Sequence, residues 1–445
     1  MSESMQGRVQ LMPPNAMPGF RKTKVGWIPE GWVHSVIGEA KHYLTSGSRG
    51  WSQYYNNTGE LFVRITNLTR EAIRLDYADC CFVKLPSGTS EGTRTRLKAG
   101  DILISITADL GIIAYFSSEE PYPLAYVNQH VALLRLYDKN ISSKFVAYQL
   151  AAPHAQRRFQ EITDQGAKAG LNLASIRSFP VVLPSLPEQE AIAGVLECWD
   201  KAIRGGERKI EKKRQVKKGL MQQLLSGQRR LPGFKGKWGE VKLGDIAAPI
   251  KTVVGEKVVT PMSLSAGIGF VPQETKFGKD ISGAQYQRYT LLTKGCFAYN
   301  KGNSKKYPQG CIYLLEEHDE VAVPNVFVCF KLDPSAAVDE YFRQVFLANM
   351  HGPALVRFIN SGVRNNGLLN LTASNFFQIK LPLPPLPEQR AIAAVLSAAD
   401  AEIAALERKL GALREQKRFL LNNLVTGAIR LPAFCRRRTH RKERK

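Results

Sequence analysis

The chain has 445 residues, 44% of them hydrophobic, with 62 Lys and Arg against 39 Asp and Glu, a formal net charge of +23. This length exceeds one ordinary domain, and the basic excess, with a pI near 9.7, points to a polyanionic partner, nucleic acid ahead of anionic membrane. Seven scattered cysteines with no CxxC pair exclude zinc-ligand spacing and fit reduced thiols; with no membrane-length apolar run and no leader signal, the expected location is the cytoplasm.

Residues 1–24 read as an N-terminal extension that carries "MPGF" at 17–20. Residues 25–182 read as a first α/β domain. Short alternating runs such as "LFVRITNL" (61–68), "GDILISITADLGIIAYF" (100–116) and "VALLRL" (131–136) predict a twisted, largely antiparallel sheet. Its candidate contact residues cluster in turns. "TSGSRGWSQYYNN" (45–57) supplies Arg49, Trp51, Gln53 and Tyr54; Arg64 and Asn67 follow. Lys168 lies among the glycines of "DQGAKAG" (164–170), which would let backbone approach phosphate. Arg pairs with guanine and Asn or Gln with adenine, which makes these residue types base readers. The same compositions also suit plain solvated turns. Asp101 and Asp109 suggest a metal pair on paper, but "GDILIS" reads more simply as a turn entering a strand.

Residues 183–234 form a helical spacer, and 383–434 repeat it without a gap at about half the positions. "LPSLPEQEAI" becomes "LPPLPEQRAI"; Asp200 matches Asp400, Gly227 matches Gly427, and "LPGF" at 231–234 matches "LPAF" at 431–434. Ser185 with Glu188 predicts a capping box, Pro187 and Pro387 suit a first helical turn, and Gly227 and Gly427 are stops. Between them runs a heptad stripe, in the second copy from Ile392 and Leu396 through Leu410 to Leu424. The first copy is weaker: Gly206, Lys213 and Lys217 fall on the seam, and Gly205-Gly206 predicts a kink. Two matching stripes favour an antiparallel coiled coil within the chain over two helices buried separately. The basic run 201–218 reads as its solvated back.

Residues 235–382 form a second α/β domain. Its edges resemble those of the first ("GWVHSVIGEA" and "KWGEVKLGDIA"; "GLNL" and "GLLNL"), whereas the interiors diverge. "YNKGNSKKYPQG" (299–310) offers Asn300, Lys301, Asn303, Lys305, Lys306 and Tyr307, and "NSGVRNNG" (360–367) offers Arg364, Asn365 and Asn366. Residues 435–445 are a basic tail. The expected fold class is therefore α+β: two sheet-based domains separated by two long antiparallel helices, with a pseudo-two-fold repeat.

No P-loop, strand-linked G-x-G-x-x-G, H-E-x-x-H or amino-methyltransferase tetrad occurs, and the seven histidines are isolated. A basic chain with two variable modules on a repeated frame thus reads as a recognition protein. The two LPEQ helices, their "LLSG" and "LVTG" ends, "VGWIPEGW" (25–32), "GDILIS", "AYVNQHVALLRL" (125–136) and "NNGLLNL" (365–371) resemble the DNA-specificity subunit of type I restriction–modification systems, over roughly residues 25–434. The resemblance implies two target-recognition domains, each reading one half of a split double-stranded DNA site, with the helices as a ruler. It also implies two methylation subunits that use S-adenosylmethionine on adenine N6, and two restriction subunits that use ATP and Mg2+. The chain itself would be non-catalytic, bind no cofactor and touch no membrane. Leu186, Pro187, Glu188 and Gln189, with Leu386, Pro387, Glu388 and Gln389, are the corresponding candidate docking faces for the methylation subunits. The Gly205-Gly206 step and the basic tail depart from the family pattern. The alternative is a stand-alone sequence-specific DNA-binding regulator.

Overall fold

The computed structural model describes residues 19–47, 49–86, 90, 92–164, 171–302, 304, 307–359 and 368–435. It divides into two compact units, Met1–Gly206 with Lys409–Lys445, and Glu207–Arg408. The division passes through both long helices, so each unit is a sequence domain completed by helix residues from a distant part of the chain.

In the first unit a four-stranded antiparallel sheet runs in the order His42–Ser46, Val131–Leu136, Ile102–Ser105, Ile113–Tyr115. Three of its strands are apolar on both faces, unlike His42–Ser46, and the period of two sorts them. Ile102, Ile104, Ala132 and Leu134 pack with the helices in one core. Leu103, Val131 and Leu133 enter a second core with Leu61, Val63 and Val127. That second core belongs to a smaller sheet in which Ala125–Val127 lies parallel to Glu60–Val63, the parallel exception to the expected antiparallel pattern.

The second unit repeats the central sheet strand for strand: Ala247–Pro249, Val328–Leu332, Phe297–Asn300, Cys311–Leu314. Phe297, Tyr299 and Phe330 face the helix core, and Ala298 and Cys329 face the opposite one. The interiors diverge in sequence yet keep one strand order. Matching two-stranded pairs close each domain: Val33–Val36 with Pro180–Leu183, and Gly239–Lys242 with Lys380–Leu383. Each closing strand leads straight into a long helix, Leu186–Leu225 (40 residues) or Leu386–Leu424 (39 residues).

Within each unit the helices run antiparallel. In the first, Glu188 meets Arg430, Asp200 meets Lys417, and Gly206 meets Leu410. In the second, Arg230 meets Glu388, Lys217 meets Asp400, and Lys213 meets Glu402. The seam lysines are therefore ion-paired across the helix pair. The first helix is continuous through Gly205-Gly206. A Cβ at Gly206 would lie 3.3 Å from Leu410 Cδ1, so the glycine makes room for the opposite helix and offsets its poor helix propensity.

The predicted capping box does not form its expected side-chain arm. Glu188 N and Gln189 N donate to the Ser185 carbonyl, and the Glu188 carboxylate is held by the Arg430 guanidinium, with Nη2 at 2.8 Å from Oε2. Glu388 is held by Arg230 at 2.6 Å on each oxygen and by Trp238 Nε1 at 3.0 Å. The following glutamine fastens helix to domain. Gln189 accepts from Ser142 N (2.9 Å) and donates to Asn140 O (3.1 Å) and Pro184 O (2.9 Å). Gln389 does the same with Val338 N, Ala336 O and Pro384 O.

Glu388 is fully buried. Glu388→Ala would remove the carboxylate partner of Arg230, which keeps the Gly236 carbonyl, and leave the Trp238 N–H without its acceptor, a loss of about 1–3 kcal/mol. A denaturant melt of the full chain should show the second unit destabilised by that order. An unchanged melt would refute the role given to this pair.

Acid should weaken the second unit's helix pair. Burial opposes the charge on Asp400, but hydrogen bonds from Lys217 and Gln344 and the nearby Arg343 hold its carboxyl below the usual carboxylate range. The native state thus resists a proton that the unfolded chain accepts near pH 4. This contribution is present above about pH 4 and is lost as pH falls through the lowered native value. Asp400→Asn should flatten the acid limb of the stability profile below pH 4.

Candidate nucleic-acid interface

In the first unit, strand His42–Ser46 delivers the loop predicted to touch DNA. Gly47 passes so close to Asn128 that a Cβ would lie 2.1 Å from its carbonyl carbon, and Gly50 turns with φ +84°. Trp51 then plugs into the domain, stacked on Phe62 at 5.0 Å and edge-on to Tyr126 at 5.3 Å. With the tryptophan as anchor, Arg49 and Gln53 are exposed and Tyr54 is half-buried. Trp51 itself is 3% exposed, so it holds the loop and does not face outward.

Two other candidates are occupied inside the domain. The Arg64 guanidinium is paired with Asp79 at 2.8 Å and also donates to its carbonyl. Asn67 is fully buried: it accepts from Arg64 N (2.9 Å) and donates to Asp76 O (2.9 Å) and Asp79 O (3.0 Å), so it shapes a turn. The imagined carboxylate pair is likewise committed, Asp101 to Arg135 at 2.7 Å on each oxygen and Asp109 to Arg70. Lys168 lies outside the described residues.

A cluster missed in the sequence borders this loop. Gly47 N donates to Asn128 O at 3.1 Å, and the next residues, Gln129 and His130, form a chain with Thr107: Thr107 Oγ1 to His130 Nδ1 at 2.8 Å, and Gln129 Nε2 to His130 Nε2 at 2.9 Å. The signal was present in "NQH", but no spacing rule links it to Thr107; the sheet does.

In the second unit the loop after Phe297–Asn300 is built similarly. Asn300 is half-buried, donates to Leu264 O (3.1 Å) and accepts from Gly302 N (2.8 Å), so it supports the loop base. Lys301 and Tyr307 are half-buried at its two ends. Lys301 O accepts from Leu369 N at 2.9 Å and Gly302 bridges Leu368. This loop therefore adjoins the residues that follow the 360–367 cluster. Asn303, Lys305, Lys306, Arg364, Asn365 and Asn366 lie outside the described residues.

His351 anchors the far end of the loop. Its Nε2 lies 3.4 Å from the Gly310 carbonyl, which can only accept, so Nε2 carries the proton. Burial pushes this imidazole down to about 4, against a weaker opposing effect of the Gly310 bond. It is neutral in the native state near pH 7.

The repeated helix starts present little of their motif outward. Pro187 and Pro387 are exposed and Leu186 and Leu386 half-buried, whereas Glu188, Gln189, Glu388 and Gln389 are 0–2% exposed and bonded within their own units. Those four side chains spend their bonding capacity on closing the fold, which removes them from any surface offered to a partner subunit. No described helix is long and apolar enough to cross a membrane, and no described group of three or more His, Cys, Asp and Glu is placed to hold a metal ion.

The family model for the type I restriction modification DNA specificity domain matches residues 74–213 and again 289–414, together more than half of the chain. The chain belongs to that family. It is a specificity chain, a non-catalytic reader of DNA sequence. A relative named as the putative type I restriction enzyme MjaX specificity subunit of Methanocaldococcus jannaschii is 24% identical over 433 residues, covering 93% of this chain and 97% of its own. Two solved structures share the fold. One is a chain from work on complex assembly and conformational transition of the type I R-M system (TM-score 0.53, 15% identity, 90% of this chain, 99% of that one). The other is the type I restriction-modification system S subunit from M. genitalium (TM-score 0.51, 14% identity, 88% and 96%). The two family matches fall one in each half of the specificity chain, each taking in part of a recognition domain and of the helix that follows it.

Because native His351 resists a proton that the unfolded chain accepts below about pH 6.5, the second unit should lose stability as pH falls from about 6.5 to about 4. His351→Gln keeps a donor for Gly310 O and should reduce that slope by up to roughly 1.4 kcal/mol per pH unit. Denaturant midpoints of both proteins at pH 7 and pH 5 measure it; equal slopes would count against the buried neutral imidazole.

Proposed function

We propose that this specificity chain reads a bipartite, asymmetric double-stranded DNA site, one half with each recognition domain. In this reading it directs adenine-N6 methylation or cleavage by partner subunits: two methylation subunits carrying S-adenosylmethionine and two restriction subunits using ATP and Mg2+. The observation that carries it is one sheet order used twice, with different loops at the candidate interface and the same Glu-Gln closure at each helix start. A repeated frame suits identical partner subunits, and unlike loops suit unlike half-sites. Nothing in either unit favours the stand-alone regulator.

The test is modular exchange. Replacing residues 238–382 with the same module of a related specificity chain, co-expressed with the methylation subunits, should change one half of the methylated motif and leave the other intact. Methylome sequencing that shows both halves altered would overturn the reading.

The helix pair is the spacer in this reading. Inserting four residues near Lys212 and four near Ala412 lengthens both arms by about 6 Å at about 1.5 Å per residue. At about 3.4 Å per base pair, the gap between half-sites should grow by about one or two pairs with unchanged half-sites. An active complex that keeps the original gap would remove the ruler role.

A further inference from the structure

The second unit carries a hairpin outside all the predicted loops, Met262–Ser265 paired with Gly269–Pro272. Met262 and Leu264 are 1% exposed in the core of the small sheet, so the arm is stiff. Its three-residue tip turns on Gly267 (φ +85°) and ends against Gly269 (φ +109°), conformations that only glycine adopts without strain. At this tip stands Ile268, 77% exposed.

One contact ties the hairpin to the base of the candidate reading loop, and two more brace it within the domain. The Leu264 carbonyl accepts from Asn300 Nδ2 at 3.1 Å and from Lys276 Nζ at 3.2 Å. At the tip, Gly267 N donates to the Tyr313 hydroxyl at 2.6 Å. That same phenol lies close to Tyr307, the aromatic residue near the end of the 299–310 loop. Hairpin tip and reading loop thus converge on one phenol. The segment of chain that carries the hairpin is basic, with seven Lys and Arg against three Asp and Glu between 251 and 301.

We propose that the tip Ser265–Gly269 is a base-contacting element of the second recognition domain, and that Ile268 packs on the 5-methyl group of a thymine in the major groove. The proposal rests on the DNA-reading function above. A two-stranded ribbon fits the major groove, and the thymine methyl is the apolar group on the base edges there. Isoleucine has no donor or acceptor to offer any other edge. The buried base of the arm fixes the backbone that carries the side chain, so little backbone freedom is lost on contact.

The test uses the full chain assembled with its methylation subunits and duplexes carrying the methylated motif. Each thymine of the second half-site is replaced in turn by deoxyuridine, which lacks only the 5-methyl group. Wild type should lose about 4-fold in affinity at one thymine, the worth of one buried methyl-sized group. Ile268→Ala should bind the normal site more weakly and be indifferent to that replacement, whereas Ile268→Val should keep the sensitivity. Ile268 is exposed, so neither variant should shift the melting profile.

Equal sensitivity of wild type and Ile268→Ala at every thymine would overturn the contact, as would a second half-site without any A·T pair. Reduced DNA bending in Ile268→Ala, without uracil sensitivity in wild type, would make the isoleucine a wedge between base steps and also overturn the methyl contact. A wild-type complex that discriminates its motif while Ile268→Ala is unchanged sinks the hairpin alone. A wild-type complex without sequence preference sinks the reading function as well.

Discussion

Each unit depends on a carboxylate taken out of water. Glu188 and Glu388 are buried at the starts of the two long helices, and such charges are tolerated only with an opposite charge and full hydrogen bonding. The partner is an arginine that follows the end of the other helix, Arg430 for Glu188 and Arg230 for Glu388. Satisfying the carboxylate brings residues 242 or 158 positions apart in sequence to the same place. The adjacent glutamine then ties the helix start to the domain that precedes it. One dipeptide, Glu-Gln, thus joins domain, outgoing helix and returning helix in each unit.

A frame closed in this way does not draw on most of the exposed residues in the loops at the candidate interface. In both units four strands in the same order form the central sheet, although the strand sequences and the loops between them both differ. Even there, part of each loop serves as anchor: Trp51 in one, Asn300 and the Gly310–His351 contact in the other. The described candidate residues thus sit beside side chains that fix their segments to the domain.

Much of this was legible in the sequence because it is written in local periodicity. The helices, their glycine stops, the repeat and the strand-rich domains all follow from apolar spacing and turn residues within windows of a few dozen positions. The resemblance to type I specificity subunits rested on the same segments, and the family match confirms it. Less legible was the use made of individual polar residues. Glu188 and Gln189 looked like a cap and a docking face, Lys217 like a flaw in the seam, and Trp51 and Asn67 like surface readers. All of them are engaged inside the fold.

The sequence by itself determined that this is a two-module reader on a duplicated helical frame, because hydrophobic period and internal repetition survive without knowledge of any contact. Only the tertiary structure decided that each frame is closed by the opposite helix, that Gly206 gives way to Leu410, and that a hairpin at 262–272 joins the loop at 299–310. The physical reason is that a polar side chain's role is set by whichever partner lies within about 3 Å. Here those partners are tens to hundreds of residues away, and no pattern along the chain records the distance between them.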